Sequence, residues 1–584
     1  VVWAAQRIRE GISPSRIILL AYNAKAGESL QEKLRSAIGA AAASRVWCGT
    51  FHSLCWKLLK KLQPEDPRAQ PSALFGRDSS EDGVRPGQLL GPALREAHNE
   101  ADLGDILNLS AQAREACVEI LPTCLRGGGP LHEFLLPKFD GLSTKAWEMA
   151  HAISLYEEVK RKHGKIDYTD MLTAIYDALT AVGGSEWVKP LLTMFDAALM
   201  DEAQDANLIQ HRIFEFLARN SKVSLKVGDV RQSIYGWRGA RMDLFIPPEG
   251  SDAQRLPLRF NYRSDSCIVE HANRFAGGSP AWHIGGDAIA RATAPRDSHA
   301  IEVTPDADPI ADALAASQVG ESFAEFAVLA RRNADLAAFE TACALSDVPF
   351  RSTAGGYGIW SSPDGKAFVS YIRLALGQGS PIDAVAVANR PLRRIPKREI
   401  EFKLAGIDPT AIPTTLRSNS WQSIREYGDD LVAVHKAGKW PEQCRAVFAL
   451  LHRDLIQRAS AELDPDADRL ANLQSLLTMA QQAASLKGLL ELIEKLKKRS
   501  APDGTPAVTL STIHRAKGLE WNNVYVHAGS LPSPKAKDLG EEERLYYVAI
   551  TRARRRLVIM RADPEKHPFV KRHWPAKAKT EGAL

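Results

Sequence analysis

Residues 197–206 read AALMDEAQDA. Four apolar residues, Ala197 to Met200, run straight into Asp201 and Glu202, with Gln204 and Asp205 just behind. A short continuous apolar run suits a parallel strand covered on both faces. In open α/β sheets, ligands sit at the carboxyl ends of such strands. An aspartate at that tip is placed to hold Mg²⁺, a hard cation that takes oxygen ligands and shares them with nucleotide phosphates. The adjacent glutamate can orient or deprotonate an attacking water. Taken alone, the stretch reads equally well as a strand followed by an acidic helix cap, since carboxylates also favour the first turn of a helix. Context has to decide.

Outward from this stretch, strand-like and helix-like segments alternate. RIILLAYN (16–23), AGESLQEKLRSAI (26–38), RVWCGT (45–50) and FHSLCWKLLKKL (51–62) make a βαβα rhythm, the signature of a parallel sheet wrapped by helices. The rhythm breaks in a Pro-, Gly- and Ser-rich stretch at 63–92, which reads as loop. It resumes at AALMDE, a helix from about Asn207 to Ala218, and LKVGD (225–229). A second α/β set opens near residue 255, with EFAVLAR (325–331) its clearest strand. A helical block follows, including the long periodic segment at 468–499, before strand signals return at AVTLSTIH (507–514), NNVYVH (522–527) and RLVIM (556–560). The expectation is an α/β protein with two cores, each interrupted by a mostly helical insertion. Residues 1–62 and 146–254 form the first core, with 63–145 inserted. Residues 255–364 and 505–584 form the second, with 365–504 inserted.

A chain of 584 residues exceeds what one core holds. The net charge of +5, from 75 basic and 70 acidic residues, does not by itself imply nucleic acid. The basic runs TRARRR (551–556) and KHPFVKRHWPAKAK (566–579) lend only weak support to a polyanionic partner. No apolar run reaches the length of a membrane span, and no secretory signal opens the sequence. The seven cysteines are scattered without a CxxC pair, which points to reduced thiols and a cytoplasmic protein without a structural metal site.

Six stretches then occur in a fixed order: WCGTFHSL (47–54), LMDEAQDA (199–206), VGDVRQSIYGWRGA (227–240), LRFNYRS (258–264), STIHRAKGLEW (511–521) and ERLYYVAITRARRRL (543–557). Together they resemble the motifs of UvrD/Rep-type superfamily 1 DNA helicases, across nearly the whole chain. The resemblance implies two RecA-like parallel-sheet cores, ATP and Mg²⁺ as cofactors, and single-stranded DNA or single/double-strand junctions as partner. Asp201 would hold Mg²⁺ and Glu202 activate the water that attacks the γ-phosphate. Gln204 and Gln232 would touch a phosphate oxygen or that water. Arg263 and Arg552 would act as arginine fingers, whose planar guanidinium groups stabilise charge spread over the transferring phosphoryl group. Tyr262 would stack on adenine and Glu520 accept from the ribose, with Lys517 and Gly518 shaping the loop. The DNA-facing set would be Tyr22, Thr50, Phe51, His52, Tyr235, Trp237, Arg238 and His514, since single strands are held by phosphate contacts and aromatic faces.

Two departures stand out. AYNAKAG (21–27) differs from the family's commoner TFTNKAA. More consequentially, no GxxxxGK[ST] occurs, the loop whose backbone amides wrap the phosphates: Lys165, Lys366 and Lys439 follow glycines but precede Ile, Ala and Trp. The amphipathic opening VVWAAQRIREG (1–11) falls where the family's helix begins at that lysine, so the expectation is a chain starting just inside this helix. The rival reading is a non-catalytic DNA-binding or scaffold protein of helicase architecture. Glu202, Gln232, Arg263 and Arg552 together count against it.

Overall fold

The structure, a computed structural model, describes residues 1–22, 24–62, 135, 143–180, 186–248, 250–277, 288–290, 300–352, 358–393, 395, 419–460, 467–499, 501, 504–533, 536 and 538–572. Most of the expected insertion at 63–145 and the basic tail after residue 572 lie outside these. The chain divides into two compact units, Val1–Leu256 and Pro257–Leu584.

The first unit carries β1 (Ile17–Ala21), β2 (Trp47–Thr50), β3 (Ala197–Met200) and β4 (Val223–Lys226), all parallel, in the order β2–β1–β3–β4. Every residue of β1 is at most 1% exposed. Alternation divides its side chains between two layers. Ile18 and Leu20 pack with Leu54 and Leu58 of the helix Phe51–Leu62, Ile175 of Tyr168–Thr180 and Ile213 of Leu208–Ala218. Ile17 and Leu19 pack with Ala4 of the helix Val2–Arg9 and Leu34 of Ala24–Ile38. The chain leaves β1 for β2 on one side and returns to β3 on the other. The ends of β1 and β3 therefore flank a switch point, where an open sheet leaves a crevice. Strand β4 lies slightly earlier than expected, which leaves Gly228 and Asp229 in the loop beyond it. The helix Leu208–Ala218 starts with a capping box, in which Asn207 Oδ1 accepts from Gln210 N and Gln210 Oε1 from Asn207 N.

The second unit holds a short parallel pair, β5 (Phe260–Asn261) with β6 (Ile289–Ala290), and a six-stranded parallel sheet. Its strands are β7 (Ile301–Val303), β8 (Phe326–Ala330), β9 (Phe350–Ser352), β10 (Val508–Thr512), β11 (Trp521–His527) and β12 (Ala553–Met560), in the order β7–β12–β11–β8–β10–β9. Neighbouring β9 and β10 are joined by the helical insertion. The periodic segment at 468–499 is two helices, Ala467–Gln482 and Leu486–Arg499. Ala484 breaks them in the left-handed region (φ 57°), and Ser485 restarts the helix by accepting from Gly488 N at 3.1 Å. The run TRARRR belongs largely to β12, and two of its four arginines are ion-paired within the unit: Arg554 with Glu520, Arg556 with Glu302 and Asp312. Among the described residues no helix is long and apolar enough to cross a membrane.

Candidate functional site

Asp201 continues the β1–β3 ladder, its N–H donating to Leu20 O at 2.8 Å, so its carboxylate is delivered to the strand tip. The next residue turns sharply. Glu202 sits at φ 51°, ψ 42°, a left-handed conformation that costs a non-glycine residue about 1–3 kcal/mol and persists only where surroundings enforce it. The enforcement is visible. Ala203 N donates to Val227 O at 2.9 Å, and Ser233 Oγ donates to Gln204 O at 3.2 Å. Gln204 is fully buried; its Nε2 donates to Glu202 Oε2 at 2.6 Å while its Oε1 accepts from Asp229 N at 3.1 Å. Gln232 Nε2 donates to Asp229 Oδ2 at 2.9 Å. The start of the helix Val2–Arg9 comes close to this tip.

The IYGWRGA turn is tied to the same loop. Arg241 N donates to Ala206 O at 2.9 Å, and Ala240 bridges Asn207. Gly239 closes the Gly236–Arg238 turn at φ 86°, which favours glycine. Tyr235 stacks on Tyr22 from the tip of β1, with ring centroids 5.2 Å apart and planes at 22°, and the Arg238 guanidinium lies 5.9 Å from the Tyr235 ring centre. Burial, reinforced by Asp205, pushes the Tyr22 hydroxyl up to about 12. Trp237 occupies the middle of the turn; its side chain lies outside the described residues.

The GTFH stretch divides. Thr50 Oγ1 accepts from Ser53 N at 3.2 Å and so caps the following helix. The His52 ring meets Tyr168 edge-on, with centroids 5.6 Å apart, and burial lowers its pKa against the pull of Asp167. Phe51, placed by the resemblance in the DNA-facing set, is 4% exposed and packs in the core beneath the sheet. Tyr168, by contrast, is 53% exposed, and no role is assigned to it from the sequence. It is seated by a buried lysine, since Lys160 Nζ donates to Asp167 at 3.0 Å and Asp170 at 2.9 Å.

In the second unit three distant stretches converge. Asn261 Oδ1 accepts from the N–H groups of Arg263 and Ser264, and Ser264 Oγ donates to Ala553 O at 2.7 Å, docking NYRS beside TRAR. Arg263 and Arg554 both donate to Glu520. Burial pushes Glu520 upward, but the two guanidinium groups outweigh it and hold the carboxyl below its usual range. Arg552 is 1% exposed, with its donors on Val548 O, Leu519 O and Thr551 Oγ1. Gly518, at φ 81°, lets the chain turn between Lys517 and Glu520. Tyr262 is 74% exposed, and His514 lies on the short helix Ile513–Ala516. Arg554 was missed as a partner of Glu520 because a basic run hides which member has a neighbour.

Residues 4–249 match the UvrD/REP helicase N-terminal domain and residues 416–563 the UvrD-like helicase C-terminal domain. The chain belongs to the UvrD/Rep-type superfamily 1 helicases. Among its relatives, DNA helicase II of Haemophilus influenzae is 24% identical over 97% of this chain and 80% of its own length. DNA helicase II of Escherichia coli is 25% identical over 95% and 79%. The ATP-dependent DNA helicase PcrA of Staphylococcus epidermidis is 23% identical over 94% and 77%. In this family's terms the two parallel sheets are its RecA-like cores.

Proposed function

We propose that the protein is an ATP-dependent DNA helicase or translocase moving on single-stranded DNA, 3′ to 5′ as the resemblance implies, and engaging single/double-strand junctions. One observation carries this reading: the loop bearing Asp201 and Glu202 and the turn bearing Tyr235, Trp237 and Arg238 are one hydrogen-bonded assembly. A change at the phosphates is therefore felt by groups suited to hold bases. Asp201 offers the hard oxygen donors that Mg²⁺ takes. Bound there, the metal would neutralise phosphate charge.

Glu202 serves as proton acceptor from water, Gln232 as a polar contact to the phosphate end, and Arg263 and Arg552 as stabilisers of developing phosphoryl charge. Tyr262, Lys517, Gly518 and Glu520 serve the nucleoside end. Tyr22, Thr50, His52, Tyr235, Trp237, Arg238 and His514 serve the strand, and Phe51 supports them from the core. Residues 1–584 hold no GxxxxGK[ST], so turnover is tested in a polypeptide that carries that loop.

The test begins by reading the coding frame upstream of Val1, expected to run into a strand and GxxxxGK[ST]. The polypeptide extended through that loop should show DNA-stimulated ATP hydrolysis and strand displacement. Its Glu202→Gln variant should bind nucleotide without turnover. A start signal directly before Val1, with no such loop, would leave a DNA-binding protein of helicase architecture. Hydrolysis without strand separation would leave a translocase.

A further inference from the structure

We propose that Gln204 is a positioning residue, which holds the Glu202 carboxylate at the angle from which it takes a proton, and that residue 228 is glycine to make room for it. The inference rests on the reading of Glu202 as the base. The resemblance suggests a different role for Gln204, contact with phosphate. It is 0% exposed, and both ends of its amide are engaged inside the unit, on Glu202 and on Asp229.

The orientation of that amide follows from hydrogen-bond chemistry. The Asp229 N–H can only donate, so it must face Oε1. Nε2 is then turned towards Glu202 Oε2, and an ionised carboxylate can only accept. Both ends agree on one arrangement, and a flipped amide would set donor against donor and acceptor against acceptor. The contact with Glu202 is charge-assisted, the stronger kind. Glu202 lies in a left-handed turn, so its carboxylate direction is not set by a regular element, and Gln204 supplies the missing reference. The backbone is pinned on the same side by Val227 O and Ser233 Oγ.

Gly228 explains how the amide fits. A Cβ at that position would lie 2.2 Å from Gln204 Oε1 and 3.3 Å from Ala203 N. Its φ is not in the left-handed region, so alanine is compatible with the backbone itself. The side chain excluded by glycine is therefore one that would evict Gln204. In the reaction the water oxygen bonds to the γ-phosphorus, the bond to the bridging oxygen breaks to leave ADP, and Glu202 takes the water's proton. A carboxylate free to rotate would make that transfer from fewer of its orientations.

The decisive variants are Gln204→Ala, Gln204→Glu and Gly228→Ala. In the hydrolysing polypeptide, Gln204→Ala and Gly228→Ala should lower kcat about ten- to a hundredfold with KM for ATP nearly unchanged. Gln204→Glu separates positioning from packing. While neutral, the introduced carboxyl donates to Glu202 and accepts from Asp229, as the amide does; ionised, it repels Glu202. Its kcat should therefore fall as pH rises across a range where the parent's does not. A flat profile, or a Gln204→Ala kcat within about twofold of the parent, overturns the proposal. A Glu202→Gln variant that still turns over overturns the base assignment itself, and the inference with it. Residues 1–584 give a readout that needs no turnover, residue-resolved hydrogen exchange at the Asp229 amide. Gln204→Ala and Gly228→Ala should speed it more than tenfold. Unchanged protection in both would show that the amide is not held as described.

Discussion

Glu340 makes the second unit's stability depend on pH in an unusual direction. It lies on the helix Asn333–Leu345, which packs on the sheet and on both helices of the 467–499 hairpin. Its side chain is 2% exposed, and Oε1 has no hydrogen-bond partner among the described residues. Burial pushes its pKa from 4.5 to about 7, with Ser352 opposing weakly. The folded unit thus keeps a proton that the unfolded chain has lost between those values. Stability attributable to this group is complete below the unfolded value, declines as pH rises, and is gone above about 7. The gap corresponds to about 3 kcal/mol. Glu340→Gln keeps the shape and removes the titration. The variant should match the parent near pH 4.5 and exceed it by up to about 3 kcal/mol at pH 8. Urea unfolding of residues 1–584 at the two pH values would measure this, with hydrogen exchange of the 333–345 segment as local reporter. An equal shift of the midpoint at both pH values would refute the reasoning.

Other outcomes follow from the same geometry. Trp237→Ala should weaken single-stranded DNA binding by about 1–3 kcal/mol in fluorescence anisotropy at fixed salt, the worth of one stacked base; unchanged affinity would return Trp237 to a packing role. Lys160→Met strands Asp167 and Asp170, which are 18% and 20% exposed, and should cost about 2 kcal/mol of urea stability. It should also loosen Tyr168 beside His52, and retention of both stability and DNA affinity would argue against the seat described. Leu19→Ala empties a site 1% exposed in the first sheet and should cost about 3 kcal/mol; a loss below about 1 kcal/mol would mean that the layer collapses around it.

Much of the architecture could be read from local pattern. Parallel strands buried on both faces are short apolar runs, and IILLA, AALM and FAVLA are strands in the structure. The polar residues that end such runs sit at strand tips for the same reason, so Asp201 was placed correctly from the sequence alone. Periodicity failed where a single backbone reversal matters: nothing in 468–499 marks Ala484 as the residue that takes φ 57°. Nor does a helix start say which residue of its first turn packs in the core, as Phe51 does.

The sequence by itself determined which chemical groups are available and roughly where along strands and loops they stand: carboxylates after β3, aromatics and arginine in the IYGWRGA turn, a glycine before Glu520. Tertiary structure alone decided which of them meet. Arg263 and Glu520 are 257 residues apart in sequence and in contact in space. Gln204 points inward because Asp229, 25 residues on, presents an N–H to it. Side-chain direction in an irregular loop is chosen by hydrogen-bond partners from other strands. Those partners are fixed only when the sheet has brought its strand ends together.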